Sequence, residues 1–265
     1  MVAYDFEYDG ILLSDMGCML CVIDTSLDQS ITVGTDITFN TVKAFGGKHF
    51  YSTHTTYESP IEQTYEICKR CDYDSDGFTV DEVRKLTKWL KRMNKHKLKF
   101  IGDEFKDFYL EASFNVCSVE KSGKILGLQL NMQANTAYPI HEPIKLSFVS
   151  NGDGKYAIKN ESDDEGIIYP DAKITVSDNC DVNISVVHDQ KVVSNTVIKN
   201  CVSGEVITLS YPIISSSVSS HNIADDFNWD FPAFENEYDN STNIILIPSK
   251  CKVQFVYTPA VKVSV

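Results

Sequence analysis

Residues 79–94 form the one long stretch of this chain with a clear helical period. Val83, Leu86, Leu90 and Met93 fall three, four and three residues apart, and Trp89 widens the same face. That spacing writes one apolar stripe along a helix. Thr79 is placed to cap its N-terminus, with Glu82 three residues on as the capping-box partner. Asp81 and Glu82 sit at the positive end of the helix dipole, and Lys91 and Arg92 towards the negative end. Nearly everything else reads as short strands and turns. The chain must therefore fold as a β-rich architecture that accepts a single helix between runs of strand.

A length of 265 residues is comfortable for two domains. The hydrophobic share, 43%, predicts packed cores rather than wholesale disorder. No run of 18 apolar residues occurs, so no transmembrane helix and no membrane partner are expected. The opening Met1–Gly10 has neither a basic region nor an apolar one, so it is not read as a signal peptide. Synthesis in a reducing cytoplasm is the default expectation. The net charge is −13, split as −5 over residues 1–140 and −8 beyond. Such a chain binds nucleic acid poorly by non-specific attraction.

Residues 4–23 read as a hairpin with turns at Asp9-Gly10 and near Ser14-Asp15. Residues 30–40 are β-branched and alternating. Phe45-Gly-Gly-Lys-His-Phe-Tyr51 is a Gly-Gly turn between aromatics. Strands are expected at 62–71, 97–101, 108–119 and 125–134, the last two joined by Lys121-Ser-Gly-Lys124 as a hairpin. Ala137-Tyr-Pro-Ile-His-Glu-Pro143 breaks the pattern with two prolines, which places a domain boundary between 1–140 and 141–265. Beyond it, short strands at 145–150, 166–168, 172–176, 181–188, 192–199, 205–209, 244–248 and 251–257 have the spacing of a β-sandwich or barrel. Ser215–His221 is a serine-rich loop, and Ala224–Tyr238 mixes acids with aromatics.

Several groups invite a chemical reading. Cys18, Cys21, Cys68 and Cys71 form two CxxC pairs that suggest a four-thiolate zinc site. The 46-residue gap is far from that of a zinc ribbon, and Cys18 and Cys21 lie in a predicted strand, where i and i+3 face opposite ways. Free buried cysteines are the preferred reading, with no zinc. Without a secretory signal, disulfides are not expected. Asp72, Asp74, Asp76 and Gly77 match the first half of an EF-hand loop. Position 12 is Val83, however, and strand rather than helix precedes the loop, so a turn without calcium is preferred.

Lys85, Lys88, Arg92 and Lys95, flanked by Arg84 and Lys91, give the helix a basic outer face. It is read as solvated, with a phosphate or an acidic neighbour as the alternative. The six histidines make no ligand pair, and no Gly-x-Ser-x-Gly elbow, Walker loop or dinucleotide fingerprint is present. Asp163-Asp164 and Asp225-Asp226 read as solvated loops. Asp239, Asn240 and Asn243 beside aromatics suggest either a carbohydrate site or a turn before the next strand, and the turn is preferred. No catalytic residue, metal ligand or cofactor-binding residue is assigned, and no cofactor is expected.

At this point the chain resembles the distal tail (Dit) proteins of long-tailed, non-contractile bacteriophages. The likeness is carried by Tyr4-Asp-Phe-Glu-Tyr-Asp-Gly10, Ser14-Asp-Met-Gly17, Phe45-Gly-Gly-Lys48, the helix ending in Trp89-Leu90, and Leu128–Pro139. In the second part it continues through Tyr169–Val176, Asp181–Val187 and Asn243–Ile247. Ser241-Thr242 replaces the glycine usual before the last of these.

The resemblance implies a mainly β fold of two β-sandwich domains, the first with one α-helix and a projecting hairpin, the second galectin-like. It implies six copies in a ring at the virion's tail tip, made in the host cytoplasm. The ring would join the tail-tube protein to the tail-associated hub protein, hold receptor-binding proteins, and let DNA pass without specific binding. The rivals are a carbohydrate-binding sandwich protein, another β-rich tail-tube or terminator component, and an enzyme with a dispersed site.

Overall fold

The computed structural model describes residues 4–22, 34–43, 45, 47–70, 77–102 and 107–263. The chain is mainly β and divides into two compact units with separate sheets. One runs up to Ile140 and takes in the residues from Val261 onward, and the other is His141–Ala260.

The first unit is built on β1 (Asp5–Tyr8), β2 (Ile11–Leu12), β3 (Cys18–Cys21), β4 (Ile37–Lys43), β5 (Phe50–Tyr57), β6 (Glu62–Lys69), α1 (Val80–Leu90), β7 (His96–Ile101), β8 (Phe108–Lys121) and β9 (Lys124–Ala134), with β10 (Ile140–His141) at its end. Its main sheet runs β2-β1-β7-β8-β9-β6-β3. The two turns read from sequence form as expected. Asp9 and Gly10, then Ser122 and Gly123, all take positive φ, the conformation of a two-residue hairpin turn.

This sheet curls. Phe100 on β7 and Tyr65 on β6 lie three strands apart, roughly 14 Å in a flat sheet. Their rings nevertheless meet at 5.1 Å. Phe6 on β1 and Phe114 on β8 are two strands apart and stack at 6.0 Å. Residues 13–17 alone join β2 to β3, at opposite edges of the sheet, and the Cys18 N–H donates to the Leu13 carbonyl. The inner faces thus enclose one core.

Helix α1 fills that core with Leu86, Trp89 and Leu90. The capping box forms as expected. The Glu82 N–H donates to Thr79 Oγ1, and the Thr79 N–H donates to Glu82 Oε2. The helix stops at Leu90, earlier than the apolar period suggests. Lys91 leaves the helical conformation, and Met93 is 102% exposed rather than on the stripe. The reason is Arg92, whose guanidinium lies 2.8 Å from Asp9 and 4.9 Å over the Tyr8 ring. That reach turns the chain off the helix axis.

The second unit contains β11 (Ile144–Asn151), β12 (Gly154–Lys159), β13 (Gly166–Ile168), β14 (Asp171–Val176), β15 (Cys180–His188), β16 (Lys191–Cys201), β17 (Val206–Ser210), β18 (Ile213–Ser216), α2 (Ile223–Asp226), β19 (Phe234–Asn236), β20 (Thr242–Ile247) and β21 (Lys250–Tyr257). Two sheets, β11-β21-β14-β17-β18 and β12-β20-β15-β16, face each other. Alternate residues point inward, so Ile174, Ile207 and Val253 from one sheet meet Ile184, Ile198 and Ile245 from the other in one core.

Residues 261–265 were read as part of the second domain, but Val261 is buried in the first unit's core. Its N–H donates to the Pro139 carbonyl, and Lys262 lies over the Tyr138 ring.

Leu90 has no exposed surface and Lys88 is exposed. Leu90→Ala is expected to cost ~2–5 kcal/mol as a core truncation. Lys88→Ala is expected to stay within about 0.5 kcal/mol. Urea unfolding of both variants checks this, and equal losses would mean that the helix face is wrongly assigned.

Candidate assembly and binding surfaces

Among the described residues, strands β4 and β5 pair with each other and with no other strand. Every residue of β4 is exposed, so this ribbon stands off the main sheet. Ile37 and Phe39 leave one face, while Val42, paired with Tyr51, leaves the other, and all four are exposed. The base of the ribbon is fixed. Tyr57 meets Tyr138 edge to face at 5.3 Å, and the Glu58 N–H donates to the Asp36 carbonyl. Gly34, at φ 69°, passes so close to the Tyr138 ring that a Cβ there would overlap it. A two-stranded ribbon is marginal by itself in water, and its open edges invite pairing.

The second unit carries a different surface. Tyr169 and Tyr211 stack at 4.4 Å, Tyr211 meets Phe231 at 5.3 Å, and Phe231 lies 6.5 Å from Trp229. Phe231 is buried beneath, while Tyr211 and Trp229 are 59% and 56% exposed. Trp229 is held by the way β16 is finished. The outward N–H groups of Asn195 and Val197 donate to Asp230 Oδ2 and Asn228 Oδ1, so two side chains close the sheet edge. With Asn228 and Asp230 turned inward, Trp229 is forced outward at φ 59°, unfavourable for a bulky residue. Its indole N–H donates to the Ala224 carbonyl, which fixes the ring plane. A strained, exposed and oriented aromatic is a mark of a binding surface.

The same unit holds a buried polar clasp. Glu205 and His221 are almost fully buried, with His221 Nδ1 2.6 Å from Glu205 Oε1 and Nε2 3.2 Å from Asp226 Oδ2. Ser216 donates to the same Glu205 oxygen, and the Val202 N–H donates to the other. The hydroxyl serves the carboxylate rather than the imidazole, so this is not a nucleophile–base pair. Burial pushes the Glu205 carboxyl up, but Ser216, His221 and the Val202 N–H outweigh it and hold it below 4.5. Burial pushes His221 down, but Glu205 and Asp226 outweigh it and hold it above 6.5.

The candidates read from sequence are placed as follows. Cys18 faces the core, and its thiol lies 3.6 Å from the Met16 carbonyl. Cys21 and Cys68 are half-buried and contact each other across the β3–β6 ladder. Cys71, Asp72, Asp74 and Asp76 lie outside the described residues. Gly77 has a packing reason of its own: it sits at φ 79°, and a Cβ would come 2.5 Å from the Ile125 carbonyl oxygen. Arg84, Lys85, Lys88 and Lys91 are exposed. Arg92 and Lys95 are not simply solvated, since Lys95 donates to the carbonyls of Gln133 and Ala134.

Asn243 is fully buried, and its side chain bonds the backbone of Glu235 in both directions, so it is a strand partner. Asp239 lies in the turn closed by Glu237 and Asn240. Asp226 belongs to the clasp rather than to a solvated loop. No short-range sequence signal marked the clasp. The ridge was announced only by the aromatic-rich 224–238 segment.

Two β domains that present an open ribbon and an exposed aromatic ridge have the build of a protein that works through its surfaces. Residues 1–136 match the family described as phage tail protein N-terminal domain, and residues 137–257 that described as phage tail C-terminal domain. The chain belongs to this phage tail protein family and is a component of the virion.

In fold it is similar to the SPP1 Dit protein, described as a paradigm of the hub adsorption apparatus in phages that infect Gram-positive bacteria. That likeness has a TM-score of 0.64 at 12% identity and covers 97% of this chain and 99% of that one. Chains of the phage P2 baseplate are also similar. In the activated conformation with Ca the TM-score is 0.49 at 10% identity, over 99% of each chain. With Sr it is 0.47 at 11%, over 96% and 97%. None of the curated proteins matches in sequence. The resemblance to Dit proteins drawn from the sequence therefore holds, and so does the mainly β, two-domain expectation.

The clasp makes stability depend on pH with a definite sign. The His221 contribution is complete below 6.5 and is lost as pH rises through its raised folded value. The Glu205 contribution is complete above 4.5 and is lost as pH falls through its lowered folded value. His221→Gln is therefore expected to lower the melting temperature most between pH 4.5 and 6.5, and least in alkaline buffer. Calorimetry of both proteins across pH checks this, and a pH-independent difference would show that His221 is uncharged in the fold.

Proposed function

We propose that this protein is a structural, non-enzymatic building block of the phage tail tip. Six copies close into a ring that joins the tail-tube protein to the tail-associated hub protein. The first domain builds the ring, and the second, a galectin-like sandwich, supports host-recognition proteins. The observation that carries the reading is the β4–β5 ribbon, which exposes Ile37, Phe39, Val42 and Tyr51 on its two faces and, among the described residues, pairs with no further strand. Laid on a neighbouring copy in a closed ring, it covers Phe39 and Tyr51 and leaves no free edge. The full-length fold likeness to SPP1 Dit supports the same reading.

The ring must let DNA through. A basic channel holds duplex by counterion release, whereas an acidic one leaves it free to slide. At −13 per copy the acids are in ample supply. Lys85, Lys88 and Arg92 then lie away from the channel, and Arg92 already has Asp9 as its partner. Neither a cofactor nor a membrane enters this reading.

Light scattering on the eluted protein, alone or with a tail partner, is expected to find six protomers. Phe39→Ser with Tyr51→Ser is expected to shift the assembly to monomers without lowering the melting temperature. A wild-type chain that stays monomeric with its partners removes the proposal.

The aromatic ridge favours one further reading, a carbohydrate-binding second domain. Aromatic faces with nearby carboxylates suit sugar rings as well as protein partners. Phage carrying Trp229→Ala is expected to assemble tails but to lose its host-recognition protein. If that protein is retained and binding of the purified chain to a glycan array is lost instead, the ridge is a sugar site.

A further inference from the structure

Cys180 opens β15 and Cys201 closes β16, and the two are direct partners in the antiparallel ladder. Directly opposed residues have Cα atoms ~4.5–5.5 Å apart. That is inside the ~4.4–6.8 Å that a disulfide spans. Opposed side chains also leave the sheet on the same face. The register shifts immediately beyond the pair, between Cys180 and Val182, so the ladder around it is not rigidly regular.

The two thiols differ in access. Cys201 is buried, and its thiol donates to the Ile198 carbonyl at 3.4 Å. Cys180 is half-buried, the less covered of the two. Burial pushes Cys201 up to about 12, so it does not begin an exchange.

The remaining described thiols serve as internal comparisons. Cys21 is opposite Glu66 and Cys68 is opposite Met19, so those two are diagonal neighbours. Their thiols touch, but diagonal Cα atoms lie ~7–8 Å apart, so a bond between them would strain the ladder. Cys117 is opposite Gln129 and has no thiol across the ladder. Cys251, on β21, is buried.

We infer that Cys180 and Cys201 are a cross-strand redox site, which a soluble disulfide such as oxidised glutathione closes once the protein leaves a reducing compartment. The Cys180 thiolate attacks one sulfur of the oxidant. The oxidant's S–S bond breaks, a mixed disulfide forms on Cys180, and one glutathione thiolate leaves. Cys201 gives its proton to solvent and attacks the Cys180 sulfur. The mixed bond breaks and the second glutathione leaves. Two cysteine thiols lose two electrons in all, and one glutathione disulfide becomes two thiols. In the reducing cytoplasm the pair stays open. The product ties the open end of the β15–β16 hairpin, whose other end is held by the Asp189-Gln190 turn. The inference stands independently of the ring.

The full-length protein is incubated with reduced or with oxidised glutathione, blocked, digested without reductant and mapped by mass spectrometry. The expected result is a crosslinked peptide pair containing Cys180 and Cys201, formed only with the oxidant. No Cys21–Cys68 link is expected, and the melting temperature of the oxidised protein should rise. Cys180→Ser is expected to abolish the link and leave Cys201 unmodified. Should that variant fold poorly, the wild-type maps under the two conditions decide the matter alone. The proposal is overturned if Cys180 ends as a glutathione adduct, pairs with Cys251, or stays free while Cys117 is modified.

Discussion

The first domain depends on one aromatic contact set. Trp89 donates its indole N–H to the Tyr8 carbonyl at 3.2 Å, stacks on Phe6 and meets the edge of Tyr8. Phe6 and Tyr8 both reach Phe114, and the Tyr8 hydroxyl donates to the Ala112 carbonyl. A sheet curls this strongly only where something large fills the concave side, and four rings and a helix do so here. Each ring buries a large apolar area, and the geometry between rings adds specificity. The polar ends of Trp89 and Tyr8 are satisfied within the core, so the filling leaves neither of them unpaired.

That arrangement shows why the helix start was legible and its end was not. A capping box is local: Thr79 and Glu82 are three residues apart, and their chemistry is visible in the sequence. The end is set by Arg92 reaching Asp9 and Tyr8, more than eighty residues earlier in the chain, and periodicity carries no trace of it. Met93 keeps the helical spacing in sequence but leaves the helical path in space. The hairpin turns at Asp9-Gly10 and Ser122-Gly123 were legible for the same local reason as the cap. Strand β5 was missed because its sequence, Phe-Tyr-Ser-Thr-His-Thr-Thr-Tyr, is largely Ser, Thr and His and so writes no apolar alternation. The strand period was also what set the CxxC spacing of Cys18 and Cys21 aside, since it sends the two thiols to opposite faces. The clasp joins Glu205, Ser216, His221 and Asp226 from separate elements, and only the tertiary fold assembles it.

The two domains treat their strand edges in opposite ways, and that contrast argues most directly for function. In the second domain the outer edge of β16 is closed from within. Asn228 and Asp230 imitate a strand with side-chain oxygens, and the Asn228 N–H donates back to the Val197 carbonyl. This closure carries a strain, because Trp229 is driven into a left-handed conformation. An asparagine or glycine there would relax the backbone and keep the edge closed. A tryptophan at that position needs a reason outside the domain's own stability, and an exposed ring fixed by its own hydrogen bond supplies one.

In the first domain no described strand closes the ribbon. β4 and β5 carry exposed apolar residues on both faces, and their outer edges pair with no described strand. Yet the ribbon's base is built with care, through Tyr57, Tyr138 and a glycine that only a close approach explains. A segment that the fold anchors so firmly is not a neglected loop. Phe39 and Tyr51 stay exposed on it, and exposed apolar side chains favour association. A sealed edge that displays an aromatic and an open edge that invites a strand make different surfaces. In the proposed ring, the first would hold a partner at one site, and the second would meet the identical ribbon of a neighbouring copy.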